Sequence, residues 1–233
     1  MSLIKPKYNY KPLNRNSIEG KRIYSCPDGS KVPSVTTILS ATQSTEKLKA
    51  LQDWRKRVGE QKAREITTEA AGRGTRMHKY LEDFMYNGTL TSPGTNPYSQ
   101  QSHSMASTII AEGLVHVNEI WGSEVGLYYP GLYAGTADAI GIHKNDESIL
   151  DYKQSNKLKK EEYIEDYFLQ LVSYALAHNK VHGTNIQKGV ILLCVSPSEN
   201  TPPIYQEFIL TPEKFKIWEQ KWWDRVELFY NIN

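Results

Sequence analysis

Two short segments in the middle of the chain combine acidic residues with a lysine: Gly135-Thr-Ala-Asp138 and Ile149-Leu-Asp151-Tyr-Lys153. Alternate side chains of a strand face the same way, so Asp151 and Lys153 should project from one face and Tyr152 from the other. If the strand that carries Asp138 pairs with theirs, two carboxylates and an ammonium group converge. This arrangement predicts a site for a hard divalent metal ion beside a cation, which suits phosphodiester hydrolysis.

Asp138 and Asp151 both lie in apolar surroundings. Asp138 is flanked by Ala137 and Ala139, and Asp151 follows Ile149-Leu150. An acid in an apolar strand is costly unless it is paired or bound to a metal ion, and aspartate is disfavoured in strands generally. The alternative is a pair of solvent-facing acids on a hairpin. The apolar neighbours favour the functional interpretation.

The predicted chemistry depends on Mg²⁺ or Mn²⁺, which carboxylate oxygens match. Waters, a substrate phosphate oxygen and a backbone carbonyl, which we assign to Tyr152, would complete the coordination shell. The ion would lower the pKa of a bound water and offset charge in the transition state. Lys153 can orient that water or stabilise the developing charge, and it can equally form a structural ion pair with Asp151.

The helical part of the chain offers further ligands. His78 and Glu82 are four residues apart and share a helix face, which makes His78 a candidate metal ligand and Glu82 a candidate supporting or second-metal ligand. An imidazole ligand would favour Mn²⁺ somewhat over Mg²⁺. An intrahelical hydrogen bond is the alternative for this pair. Glu124 opens the first predicted central strand and is either another ligand or a surface acid.

Other polar residues near these motifs predict substrate contacts. Gln170 could hold the scissile phosphate or a metal-bound water, and Tyr174, one helical turn later, could stack on a base or bind a phosphate. A polar edge of a buried helix face explains both residues equally well. Arg73, Arg76 and Lys157 are candidates for steering phosphates, although a lysine run after a strand is usually a solvated loop.

Patterning predicts a single domain, 1–233, with a helical N-terminal half and a strand-rich second half. Residues 1–20 resemble a loosely held arm, 21–121 are mainly helical, and 122–233 form a sheet core with a C-terminal helix. The helical pattern of 44–87 is interrupted at Gly72 and Gly74, a loop covers 87–101, and a helix covers 104–121. A hairpin over 21–32 and a short helix from Ser34 come before these elements.

The second half predicts a mixed α/β fold with a central mixed sheet flanked by helices. The strands are expected near 123–129, 133–143, 148–154, 189–195 and 203–210, the last of them at an edge. A helix over 161–181 should stop at Gly183, and the last helix should start at Thr211-Pro212-Glu213.

Bulk composition excludes several classes of protein. The net charge is only +2, so nucleic-acid binding would need a local basic patch. Two cysteines cannot provide the four ligands of an iron–sulfur cluster or a structural zinc site. No apolar run has membrane-spanning length, and no signal peptide is evident. We expect a monomeric protein of the cytoplasm, or of the host cytoplasm if it is viral, without membrane contact.

Five motifs in order resemble the PD-(D/E)XK nuclease superfamily in its RecB-like branch, the group that includes mitochondrial genome maintenance exonucleases and relatives from tailed bacteriophages. They are Pro33-Ser-Val-Thr36, Arg73-Gly-Thr-Arg-Met-His78, Gly135-Thr-Ala-Asp138, Ile149-Leu-Asp-Tyr-Lys153 and Gln170-Leu-Val-Ser-Tyr174. The resemblance implies a restriction-endonuclease-like core and a DNA exonuclease that acts on single-stranded ends with Mg²⁺ or Mn²⁺. Two departures stand out: Ala137 replaces the proline of the superfamily name, and Gln154 replaces a small hydroxyl residue.

The resemblance also implies residue roles. The catalytic set would be His78, Asp138, Asp151 and Lys153, with support from Gln170 and Tyr174. Ser34 and Thr36 would contact DNA phosphates at a helix N-terminus, with simple capping by Ser34 as the alternative. A structure-selective endonuclease and a non-catalytic DNA-binding accessory protein are the rival functions.

Overall fold

The computed structural model describes residues 2–18, 20–198 and 200–232. Its helices are α1 (Val35–Ala41), α2 (Thr45–Val58), α3 (Glu60–Asn87), α4 (Pro97–Glu112), α5 (Glu165–His182) and α6 (Pro212–Ile232). Its strands are β1 (Asn14–Ile18), β2 (Lys21–Ser25), β3 (Lys31–Pro33), β4 (Val117–Tyr129), β5 (Tyr133–His143), β6 (Asp146–Ser155), β7 (Lys188–Val195) and β8 (Ile204–Leu210). Short 3₁₀ turns cover Leu114–His116 and Glu161–Tyr163.

The predicted fold class is confirmed: a mixed five-stranded sheet with helices on both faces. Its strand order is β4-β5-β6-β7-β8, in which β6 and β7 are parallel and the other neighbours are antiparallel. The parallel pair is connected by α5, since parallel strands need a crossover. Strands β1, β2 and β3 form a separate antiparallel sheet in the same order.

Two apolar layers hold the large sheet between helices. On one face, side chains of α1, α5 and α6 such as Ile38, Phe168 and Trp222 are buried against the strands. On the other face, α3 and α4 contribute Met77 and Met105, among others. The sheet therefore supports α1, α3 and α5, the helices that carry candidate site residues.

Several predicted boundaries agree with the structure. Ser34 caps α1 through a hydrogen bond from the Thr37 amide to its Oγ (2.9 Å). Gly183 ends α5 with φ 68°, in the left-handed region that favours glycine. β7 is a central strand that is buried throughout, and β8 lies at the sheet edge.

The prediction that Gly72 and Gly74 interrupt the long helical pattern is wrong. Both lie inside α3, which runs unbroken, and the break falls at Gly59, whose φ is 86°. A glycine in a helix costs about 1 kcal/mol relative to alanine. Burial of Met77 and Leu81 on the same helix outweighs that cost.

The predicted 104–121 helix and 87–101 loop are also misplaced. The helix α4 starts earlier because the Asn96 side chain caps it and Pro97 occupies its first turn. It ends at Gly113, and β4 begins at Val117. The loop is therefore shorter than predicted and covers 88–96.

The N-terminal segment, expected to be a loose arm, makes defined contacts over the part that the structure describes. The Leu3 amide donates to the Met85 carbonyl (2.8 Å), and the Lys5 amide donates to the Ile120 carbonyl (2.7 Å). Tyr8 packs edge-on against Trp121, and β1 pairs with β2 along its length. The described helices include none long and apolar enough to cross a membrane.

Candidate functional site

The site lies where β5 and β6 separate. Their pairing runs from the turn end of the hairpin only as far as Ala139 and Leu150. Beyond that point β5 stays paired with β4, and β6 with β7. The Tyr152 amide, which has left the ladder, donates instead to Asp138 Oδ2 (2.6 Å). This fork opens a cavity beside the two predicted aspartates.

His78 reaches the fork from α3, which packs on the face of the sheet opposite to α5. Its Nε2 donates to the Tyr152 carbonyl (2.9 Å), and its Nδ1 lies 3.4 Å from Asp138 Oδ1 and 3.9 Å from Glu124 Oε1. The carbonyl thus fixes the ring and directs Nδ1 at two carboxylates, as outer partners of histidine ligands do. The predicted role of the Tyr152 carbonyl as a ligand itself stays a prediction.

The charges at this point are strongly coupled. Burial lowers the pKa of His78, but the Asp138 carboxylate overcomes that effect and raises it to about 10. Burial works against ionisation of Asp138 as well, yet the nearby imidazolium holds the pKa of Asp138 below its usual range. In the protein without a metal ion, a proton on His78 therefore supplies the positive charge between the acids.

Glu124 has an unusual backbone. The predicted strand start at 123 was too late, so Glu124 lies in the middle of β4 rather than at its beginning. Its φ is 53°, although its neighbours Ser123 and Val125 remain paired with β5. A non-glycine residue in this left-handed region costs about 1 kcal/mol or more, and such strain concentrates at functional sites. Here it directs the carboxylate toward His78.

Three of these side chains could together hold a metal ion. His78, Glu124 and Asp138 each offer a ligand atom, and these atoms lie within 4.8 Å of one another. One imidazole and two carboxylates are a donor set that suits a divalent transition metal or magnesium, with remaining positions open for water and substrate. A divalent cation would take the place of the His78 proton. The residues therefore fit the predicted ion.

Asp151 and Lys153 form an ion pair between Asp151 Oδ2 and Lys153 Nζ, on the face of β6 that their spacing predicted. Asp151 is 3% exposed, and burial raises its pKa to about 6 although Lys153 opposes the shift. Burial also works against the charge on Lys153, but the Asp151 carboxylate raises the pKa of the ammonium. Lys153 is therefore a firmly charged cation beside the fork.

An inner cavity of about 280 Å³ brings together most of the predicted residues. Its walls include Glu124, Asp138, Asp151, Lys153, Gln170, Tyr174, Ser34 and Thr36. Tyr174 lies over Gly135, where a Cβ atom would come within 2.7 Å of the tyrosine ring. Only glycine at this position leaves room for that ring. Burial raises the pKa of Tyr174 far above its usual value, so the hydroxyl stays protonated.

Four other candidates are placed differently. Arg73 is buried, and its guanidinium group donates to Gln154, Glu69 and Asn156, which ties α3 to β6. The other three lie apart from the inner cavity: Arg76 bonds Ser102 on α4, Lys157 is exposed in the loop after β6, and Glu82 pairs with Lys79. Glu82 lines an outer cavity of about 520 Å³ together with His78.

The structure adds two residues that the sequence-based interpretation missed. Arg15 on β1 and Arg22 on β2 line both the inner and the outer cavity. Arg15 had been assigned to the loose arm. The sequence does contain a signal that these two arginines share a face. Alternate positions on either side of Gly20 form one face of a hairpin, and they are occupied by Arg15, Ser17, Arg22 and Tyr24.

Comparison with known proteins finds one distant relative with a named activity. No protein-family model matches the chain. The human protein mitochondrial genome maintenance exonuclease 1 is 24% identical over 201 residues, which cover 80% of this chain and 56% of that protein. This chain therefore spans little more than half the length of its relative. The similarity to this exonuclease is limited to that part of its length.

Among solved structures, the one titled "Crystal structure of SSO0001" aligns with a TM-score of 0.40 and 15% identity. The alignment covers 84% of this chain and 75% of that one. This likeness is too remote to bear on fold or function.

The strain at Glu124 leads to a first prediction. Glu124→Gly should stabilise the protein by about 1 kcal/mol, because glycine adopts positive φ freely. The same change should weaken Mn²⁺ binding at least about tenfold, since it removes one carboxylate from the group of three. Urea unfolding and isothermal titration calorimetry with MnCl₂ measure the two effects. Glu124→Gln is the matched control and should lose metal affinity without gaining stability. Unchanged Mn²⁺ affinity in both variants would remove Glu124 from the metal site.

Proposed function

We propose that this protein is a divalent-metal-dependent deoxyribonuclease that degrades single-stranded DNA from its ends, of the RecB-like branch of PD-(D/E)XK nucleases. The observation that carries the proposal is the convergence of His78, Glu124 and Asp138 beside the Asp151–Lys153 pair in one cavity. The distant exonuclease homologue supports it independently.

In this proposal Mg²⁺ or Mn²⁺ is held by His78, Asp138 and Glu124, with Asp151 at the same fork. When bound, the ion supplies an acidified water and neutralises charge on the scissile phosphate. Imidazole in the donor set favours Mn²⁺ somewhat. The Tyr152 backbone keeps the donors in place, since its amide bonds Asp138 and its carbonyl bonds His78.

Lys153 acts from the other side of Asp151. Its ammonium group is 5.2 Å from the Tyr167 ring centre and faces the cavity, so it can stabilise negative charge on a phosphate there. Gln170 and the protonated Tyr174 hydroxyl offer neutral hydrogen bonds to the same phosphate.

The deciding experiment is digestion of single-stranded DNA in linear and in circular form, with Mg²⁺, Mn²⁺ or EDTA. The proposal expects mononucleotides or short products from the linear form with either ion, an intact circle, and no products in EDTA. Cleavage of the circle would establish an endonuclease instead. Binding of both forms without products under any ion would establish an accessory DNA-binding protein.

A further inference from the structure

The arginines of the N-terminal hairpin lie where the two cavities at the site meet. Arg15, Arg22 and Glu124 belong to the walls of both the inner and the outer cavity. The inner cavity continues to Asp151 and Lys153, and the outer one continues along α3 past His78. Anything that extends from one cavity into the other passes these two guanidinium groups.

Strand register explains why both side chains face the site. Arg15 on β1 is opposite Tyr24 on β2, and Arg22 precedes Tyr24 by two residues, so all three share one face of the hairpin. Tyr24 is buried, and its hydroxyl lies 3.4 Å from Thr136 Oγ1 on β5. Thr136 precedes Asp138 by two residues. Tyr24, which is paired with Arg15 across the hairpin, therefore holds the hairpin beside the carboxylates.

Neither guanidinium group has a protein acceptor in the part of the chain that the structure describes. Within 2–18, 20–198 and 200–232, no hydrogen bond or ion pair involves the side chain of Arg15 or Arg22, and both residues are exposed. Arg73 and Arg225, in contrast, are committed to protein acceptors. The charge of Arg22 reaches into the inner cavity, where it partly offsets the burial that raises the pKa of Tyr174.

We propose that Arg15 and Arg22 bind backbone phosphates of single-stranded DNA. The phosphates they bind are those next to the scissile phosphate, which is held at the group of His78, Glu124 and Asp138. This inference rests on the proposed function for the position of the scissile phosphate. His78 and Lys153 offset part of the charge of the three carboxylates around the fork, and Arg15 and Arg22 add two further cations that attract a polyanion. Guanidinium groups bind phosphate oxygens in a paired geometry, which positions a strand without reading its sequence.

The test measures binding separately from cleavage. Fluorescence anisotropy of a labelled oligothymidylate, with Ca²⁺ in place of Mg²⁺, gives the dissociation constant over a series of salt concentrations. Arg15→Gln/Arg22→Gln should weaken binding roughly tenfold to a hundredfold. It should also reduce the slope of log affinity against log salt by about 1.4, the value for two contacts on a single strand. The control Arg57→Gln removes an exposed charge on α2 and should change neither quantity.

Each outcome decides the inference. Equal affinity and salt slope in the double variant and in Arg57→Gln would overturn it, whether or not the protein cuts DNA. A reduced salt slope in the double variant, together with no DNA cleavage by the unsubstituted protein, would support the phosphate contact and reject the nuclease proposal. Arg15→Lys/Arg22→Lys keeps both charges and should retain the slope. If the double glutamine variant does not fold, Arg15→Gln and Arg22→Gln separately should each lower the slope by about 0.7.

Discussion

Asp138→Asn should reduce metal-dependent cleavage of end-labelled single-stranded DNA by at least about 100-fold, more than the loss of an outer partner of a metal ligand. The substitution removes one carboxylate from the group that His78 and Glu124 complete. It preserves shape, because the asparagine oxygen can still accept the hydrogen bond from the Tyr152 amide. The fold should therefore survive while Mn²⁺ affinity falls.

The same substitution should change the protonation of His78. Burial lowers the pKa of that imidazole, and Asp138 is the largest influence that raises it to about 10. Without the Asp138 charge, burial should dominate, and the ring should be largely neutral at pH 7. A proton NMR titration of the histidines measures this directly. Asp53→Asn, on the exposed face of α2, is the control and should leave both cleavage and the His78 titration unchanged. Wild-type cleavage rates in Asp138→Asn would refute the proposed metal site.

The local part of the site could be predicted from sequence because it depends on short-range rules. Asp151 and Lys153 share a face by strand periodicity, and the turn between β5 and β6 at 144–145 brings Asp138 alongside without any long-range knowledge. The fork itself gave no such signal. β5 and β6 separate at residues before Ala139 and after Leu150, because β5 stays paired with β4 and β6 with β7; that pairing is a property of the whole sheet.

Residues that depend on tertiary packing were harder to assign. Arg73 looked like a phosphate contact, but its partners Gln154 and Asn156 lie on or beyond a strand some eighty positions away in the chain. The residues next to an arginine in the sequence do not show whether its side chain is buried against such acceptors or faces a substrate. Glu124 stayed ambiguous because its positive φ breaks the alternation on which strand interpretation depends. Arg15 and Arg22 were missed because the polar segment that contains β1 was interpreted as a loose arm, so its pairing with β2 was not expected.

Substitutions of Asp151 and Lys153 test whether their ion pair stabilises the fold or takes part in the reaction. Lys153→Met should destabilise the protein by about 3–5 kcal/mol, because it leaves the buried Asp151 carboxylate without its partner. Asp151→Asn should destabilise it less, because the Lys153 side chain is 19% exposed and keeps contact with water. The double variant should cost clearly less than the sum of the two, since neither charge remains. Cleavage should be lost in all three proteins, because a neutral pair restores packing but neither the carboxylate at the fork nor the ammonium group.

The measurements are urea unfolding for stability and digestion of end-labelled DNA with Mn²⁺ for activity, on the same three variants. Lys153→Arg serves as the control: it keeps a cation next to Asp151, so its stability should fall less than that of Lys153→Met. Recovery of both stability and cleavage in the double variant would mean that the pair only holds β6 in place. Recovery of stability alone would assign Asp151 and Lys153 to the reaction, since the fold would then no longer explain the loss.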